Sequence, residues 1–309
     1  MGVELSSKLL LLDYPTLELR EFTLNLGARW ACFTPDGRIL CVGDKGRAIL
    51  MDGPITESLE TNTKSNLRCA AYSSRGELLV VGNNGTVLLG EKFKRLNAER
   101  AENLRRVVWS ADDETALIVG NSGCALMYEH GSNRFRPILG AVNNLRCASW
   151  PPGCEPLVVG NAFAEMFVPT PNVYRLRGDS LEPVAQEAKV DLLAVDNCVD
   201  DKFVAVGYDV VLHEPRAFLI SDGVKSLEWK GGGVYLSALA IHPSGELGIV
   251  ATSHPSGSKD RLSFAYLCTP ERVDTIYEAV GYGFVCASWS PRGDKALLLA
   301  SRSARTYNV

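Results

Sequence analysis

Apolar residues in this chain come in short runs that recur in pairs. The stretch Asn66–Gly90, NLRCAAYSSRGELLVVGNNGTVLLG, sets the pattern: three apolar strands joined by the turns Ser-Arg-Gly and Asn-Asn-Gly. Related first runs are WACFT, RRVVWS, RCASW, LLAVD, LSALAI and FVCASWS, each followed by a turn rich in Pro, Gly or Asp. Such turns suit hairpins, because Gly supplies positive φ and Pro presets φ. The second runs, RILCVG, ELLVVG, ALIVG, PLVVG, KFVAVG, ELGIVA and KALLLA, are nearly continuous in Val, Ile and Leu. Unbroken apolar strands of this length predict burial on both faces.

The small residue closing each second run falls at Gly43, Gly82, Gly120, Gly160, Gly207, Ala251 and Ala300, at intervals of 39, 38, 40, 47, 44 and 49 residues. A period near this length with several strands per unit predicts an all-β, seven-bladed β-propeller of four-stranded blades, forming a single domain over residues 1–309. One blade cannot cover both of its own faces, so neighbours must stack around an axis. The last repeat, from Phe284, has no room for a fourth strand, while Lys8–Asp13 and Leu17–Leu24 carry spare strand pattern near the N-terminus. We expect Leu17–Leu24 to complete the last blade as its outer strand and Lys8–Asp13 to add a third. Closing the ring this way removes exposed sheet edges.

The segments CFTPDGRILCVG, LAIHPSGELGIVATS and CASWSPRGDKALLLASRS resemble WD40-type repeats. No Gly-His dipeptide opens a repeat and no Trp-Asp closes one; Leu12-Asp13 and Met51-Asp52 stand nearest. VGNNGTVLL and VGNSGCALM are also similar to the photosystem-assembly-factor type of propeller, without its Asp-Gly-Gly…Trp continuation. The WD40-like resemblance implies a non-catalytic platform for protein partners.

Composition adds a compartment and excludes little else. The net charge of −4 argues against a surface dominated by nucleic-acid binding. Nine cysteines, none in a CxxC pair and with no signal peptide, suggest a reducing cytoplasm, and Cys32, Cys69, Cys147 and Cys286 read as small buried hydrophobes. Cys32 and Cys41 flank one turn and could meet across strands. Gly2 and Ser6 match the loose myristoylation pattern. No apolar run is long enough to span a bilayer. Gln186 is the sole glutamine, a composition that hints at heat adaptation. We expect a monomer with no cofactor and no metal.

One polar position breaks the apolar pattern in register. Arg29, Arg68, Arg105 and Arg146 enter the first strand of repeats one to four, three of them within an identical Asn-Leu-Arg; repeats five to seven carry Leu193, Ser237 and Val285 there. In a propeller this position opens on the central channel, so the four arginines should form an arc on one side of its mouth. The GDKG, GNNG and GNSG turns should lie just outside, with Lys45 adding charge and turn residues such as Asn84 offering backbone N–H groups. Two readings stay open. Each arginine pairs with an acidic residue on an adjacent loop or stacks between blades, or the arc binds an anionic partner (an acidic peptide, a phosphate group or, less favoured by net charge, nucleic acid), since the guanidinium fork suits both carboxylate and phosphate.

Signals for catalysis are sparse. His242 and His254 precede Pro-Ser-Gly and read as turn residues. No HxH, HExxH or GxSxG motif is present, and GDKGR and GNNGT lack the ending and following helix of a phosphate loop. A hydrolase or lyase built from scattered residues at the channel mouth is the alternative. Asp112-Asp113-Glu114 and Asp200-Asp201 read as solvated turns on the face opposite the arginines. In repeat four, NAFAEMFVPTPNVYRL replaces the short turn, and its Phe163, Met166, Phe167 and Tyr174 either pack inward with an extended strand or form an exposed patch. The polar insert His254–Arg261 reads as a surface loop.

Overall fold

A computed structural model describes residues 6–164, 168–187, 189–254 and 262–302. It contains seven four-stranded antiparallel sheets arranged as the blades of a closed propeller. The innermost strands, one per blade, are Ala28–Phe33, Leu67–Tyr72, Leu104–Trp109, Leu145–Ser149, Val190–Val199, Tyr235–Ile241 and Gly283–Trp289. Each pairs with a second strand drawn from the Val/Ile/Leu runs, and Ile39–Gly43, Leu78–Gly82, Leu157–Gly160 and Gly248–Ser253 are buried along their whole length. The outer strands are polar because only one edge of each meets protein; Ile55–Leu59 is almost entirely exposed.

The last blade joins both parts of the chain. Its order is Gly283–Trp289, Lys295–Ser301, Ser7–Asp13, Glu18–Leu24, with Ser7 opposite Ser301 and Asp13 opposite Lys295. Both N-terminal strands therefore take the places expected from the sequence. The Ser7–Asp13 strand serves two cores at once because successive side chains point to opposite faces. Leu9 and Leu11 pack with Ala28, Ile39 and Cys41 of the first blade, whereas Leu10 and Leu12 pack with Ala238, Ile249 and Ala251 of the sixth. All nine cysteines are free; Cys32 lies opposite Leu40 and Cys41 opposite Ala31, so the two do not face each other. The Gly2 myristoylation pattern begins outside the described residues.

Every innermost strand carries a β-bulge at the same place. The register slips at Arg29, Arg68, Arg105, Arg146, Leu193, Ser237 and Val285, one residue per blade. Opposite the bulge stands the small residue that marks the repeat. A bulge bends the strand and re-aims its side chain, and here it brings strand backbone onto the facing residue. A Cβ at Gly82 would lie 2.4 Å from the Asn66 carbonyl oxygen. Gly82→Ala should accordingly cost about 2–3 kcal/mol through overpacking, while Gly223→Ala, where a Cβ meets nothing within 4 Å, should be close to neutral. Urea-unfolding midpoints of the two variants check this.

Candidate functional site: the channel mouth

The seven bulged residues line one cavity of about 130 Å³ at the propeller axis. Arg29, Arg68, Arg105 and Arg146 occupy one side of its wall; Leu193, Ser237 and Val285 complete the ring. The sequence thus located the arc through a single recurring position, and the bulge explains why that position escapes the alternation of its strand.

Each arginine is clamped in the same way. Nε of Arg68, Arg105 and Arg146 donates to the side-chain oxygen of Asn83, Asn121 and Asn161, at 2.8, 2.8 and 2.6 Å. These asparagines each follow the marker glycine of their own blade. In the first blade the same place holds Asp44, which pairs with Arg29 Nε. At Nε, then, Arg29 meets an acid and the other three meet neutral amides. Among the described residues the terminal nitrogens of Arg29, Arg68 and Arg146 make no hydrogen bond. Burial, then the neighbouring Arg29 and Arg146 guanidiniums, pulls Arg68 down to about 10 despite Asp44. Like charges packed this closely repel, and a bound anion would relieve them.

The rest of the Asn-Leu-Arg motif is structural. Leu67, Leu104 and Leu145 are wholly buried. Oδ1 of Asn66, Asn103 and Asn144 accepts the backbone N–H of Lys45, Asn84 and Ser122, the left-handed turn residues of the preceding blade, at 2.9, 3.2 and 3.0 Å. The motif stitches each blade to the one before it. It also corrects one expectation: the N–H groups of Lys45 and Asn84 are already engaged by the next blade. Both side chains are exposed, and neither lines the cavity.

Below the arc, the cavity is floored by a contact that sequence reading did not single out. The Arg106 guanidinium carbon lies 4.1 Å from the centre of the Trp30 ring. Trp30 belongs to the first blade and Arg106 to the third, so the contact joins two blades that are not adjacent. Both residues sit one place after the bulge, where other blades carry the smaller Cys69, Cys147, Ala194, Ala238 and Cys286. Arg106 Nε and Trp30 Nε1 are buried without a partner among the described residues. The Arg-Arg doublet at 105–106 was the available signal. Burial pushes the thiols of Cys69 and Cys286 up, the latter to about 12, so they stay neutral beside Arg106. Two buried carboxyls complete the electrostatics. Asp191 accepts from Asn161 Nδ2 at 3.0 Å and from the Ala162 amide at 2.9 Å; Asp196 accepts the amides of Asn197 and Ile241, each at 2.9 Å. Burial raises both above the ordinary carboxylate value, against the pull of Arg146 on Asp191 and of Arg106 on Asp196.

On the opposite face, the acidic turn is not simply solvated. Asp113 is only 4% exposed. Its carboxylate accepts from the Ser74 amide, the Ser74 hydroxyl and the Arg75 amide of the preceding blade, at 2.9, 2.5 and 3.0 Å. Asp201 likewise pairs with the buried Arg175 at 2.5 Å. Two neighbouring amides needing one acceptor outweigh the preference of a turn carboxylate for water. His242 is a turn residue as expected, packed between Tyr14 and Trp289 with Nδ1 2.9 Å from Ser244 Oγ. In the fourth blade Tyr174 packs inward, 1% exposed; Met166, Phe167 and most of the His254–Arg261 insert lie outside the described residues. A second cleft of about 520 Å³ lies between blades five and six, lined by Val204, Leu219, Leu227, Trp229 and Ile241 among others. Among the described residues no group of three or more His, Cys, Asp and Glu side chains converges as metal ligands would, and no helix is long and apolar enough to cross a membrane.

No protein-family model matches the chain, and no curated protein matches it in sequence. Solved structures do match. One is the RRP9 WD40 repeats, at 10% identity and a TM-score of 0.65, covering 90% of this chain and 95% of that one. Another is the Kuenenia stuttgartiensis hydrazine synthase, at 13% identity and a TM-score of 0.66, covering 87% and 92%. At such identities the likeness is one of fold: this chain is a seven-bladed β-propeller, as its seven four-stranded sheets show.

Proposed function

We propose that this protein is a non-catalytic interaction platform whose protein partner seats on the channel-mouth face and places an anionic group against Arg29, Arg68, Arg105 and Arg146. The observation carrying this reading is the clamp on the arc. Three Nε groups are fixed by neutral amides, which orients the forks, and the guanidiniums of Arg68 and Arg146 form no ion pair among the described residues. A purely internal role would be served better by carboxylates, as at Arg29 with Asp44. Preorganised arginine forks suit carboxylate and phosphate alike. The overall charge of −4 disfavours a nucleic-acid partner, whose binding would also fall steeply with salt. The fold likeness to the RRP9 WD40 repeats agrees with a platform, although fold alone does not assign function.

Replacing Arg68, Arg105 and Arg146 together by Ala tests the reading. The variant should melt at or slightly above the wild-type temperature, because removing mutually repelling charges costs no core packing. Affinity purification followed by mass spectrometry should then lose the stoichiometric partner recovered with wild-type protein. A folded triple variant that retains that partner would refute the assignment.

A further inference from the structure

We propose that the cleft between the fifth and sixth blades is a docking site for a basic peptide segment of a partner, seated by one inserted aromatic side chain. The inference is independent of the reading of the channel mouth. The cleft opens on the opposite face, beside the turns 242–245 and 269–272 of the sixth blade.

This interface is short of a ring. Four residues beyond the bulge, five blades carry an aromatic side chain: Phe33, Tyr72, Trp109, Trp150 and Trp289. At Trp109 and Trp289 that ring reaches the blade before it, with Nε1 donating to the carbonyl oxygens of Ala71 and Ala240 at 3.1 and 3.2 Å. The sixth blade has Ile241 there, opposite Gly248, where Trp109 and Trp289 stand opposite Ala116 and Ala296. The fifth blade has Asn197, but Phe203 and Phe218 fill its interface with the fourth. Between the fifth and sixth blades the buried core is Ala, Val and Leu alone. What remains is a cleft of about 520 Å³, within the ~300–1,000 Å³ typical of ligand sites. Val204, Leu219, Leu227 and Ile241 line it and stay half-buried although they lie between two blades. Trp229 does not fill it. That ring stands edge-on to Tyr266, centres 5.3 Å apart, and forms a wall.

Charge selects the partner. Glu228, Glu246 and Glu271 line the rim, are exposed, and form no ion pair among the described residues. Arg272 is held by Asp274 at 2.9 Å, which leaves Lys230 as the cation in the lining that opposes the three glutamates. An apolar pocket rimmed by acid suits an aromatic anchor flanked by Lys or Arg and repels an acidic segment.

Isothermal titration of the whole protein tests the proposal. The probes are acetyl-Lys-Trp-Lys amide, its Glu-Trp-Glu and Lys-Ala-Lys counterparts, and N-acetyl-tryptophanamide, at matched ionic strength. We expect the Lys-Trp-Lys probe to bind at least about tenfold more tightly than the Glu-Trp-Glu and Lys-Ala-Lys probes. Ile241→Trp supplies the missing ring from within. It should melt at or above the wild-type temperature and bind the Lys-Trp-Lys probe at least about tenfold more weakly. Glu246→Lys with Glu271→Lys changes only exposed side chains. It should weaken the Lys-Trp-Lys probe about tenfold and leave N-acetyl-tryptophanamide within about twofold. Should Ile241→Trp fail to fold, this second variant decides. The triple variant of Arg68, Arg105 and Arg146 should bind the probe as wild type does, which separates this site from the channel mouth. No binding of the Lys-Trp-Lys probe at millimolar concentration, equal affinity for either counterpart, or undiminished binding by folded Ile241→Trp overturns the proposal. Self-association that rises with concentration and is abolished by Ile241→Trp overturns it too, because the occupant is then a second copy of this chain.

Discussion

Leu10→Asp is expected to cost at least about 4 kcal/mol, enough to prevent stable folding of many domains. Leu10 is wholly buried in the strand that enters the last blade from the other end of the chain. The substitution removes a side chain from the core shared with Ala238, Ile249 and Ala251 and buries a carboxylate with no partner there. Ring closure amplifies the damage, because this strand has a neighbour on each side within its sheet and feeds a core on each face. Ile55→Asp provides the contrast: Ile55 is 71% exposed on an outer strand, so its loss should shift stability by less than about 0.5 kcal/mol. Urea unfolding of both variants, followed by tryptophan fluorescence, checks the pair. Equal midpoints would show that closure through Ser7–Asp13 does not hold the ring.

Asp113→Ala should cost about 3 kcal/mol. Three donors of the preceding blade lose their shared acceptor, and hydrogen bonds to a charged group are worth about 1.5–3 kcal/mol each but are not additive within one cluster. The effect depends on pH in a fixed sense. Burial pushes the Asp113 carboxyl up, and the hydrogen bonds from Ser74 and Arg75 more than offset this, holding it below the ordinary value. A group lowered on folding contributes stability above its unfolded pKa, near 3.9, and loses it as pH falls through the folded value. The gap between wild type and variant should therefore be full at pH 6 and close progressively below about pH 4. A gap that stays constant down to pH 2.5 would place the stabilisation elsewhere. Arg75, which reaches Glu114 at 2.9 Å, is exposed and should contribute little of it.

The fold was legible because burial imposes its own alphabet. Strands covered on both faces must be apolar throughout, and their recurrence with one small residue at the end marked all seven blades. The two N-terminal strands were legible for a related reason: Lys8–Asp13 and Leu17–Leu24 carry strand pattern that falls before the first repeat. Arg29, Arg68, Arg105 and Arg146 could be found because a charge recurring within an apolar context is conspicuous. Asp113 was misread, since a local pattern cannot show that the neighbouring blade supplies three donors. Trp30 and Arg106 escaped because their contact joins two blades that are not adjacent, and each occupies its place only once. The engaged amides of Lys45 and Asn84 were missed for the same reason: the acceptor lies on the next repeat.

The recurring bulge has a consequence for how such a protein can diversify. Residues in regular strands are tied to the cores by alternation, so changing one disturbs packing on a known face. The bulged residue leaves that alternation in every blade and lines the axial cavity, with Ser237 also donating to the Phe284 carbonyl oxygen at 2.7 Å. The seven positions therefore behave as interchangeable pegs on a fixed wheel: Arg, Leu, Ser and Val already occupy the same slip in register. A library varied only at these pegs should yield mouths of different charge and selectivity on an unaltered scaffold, with little trade-off between recognition and thermal robustness.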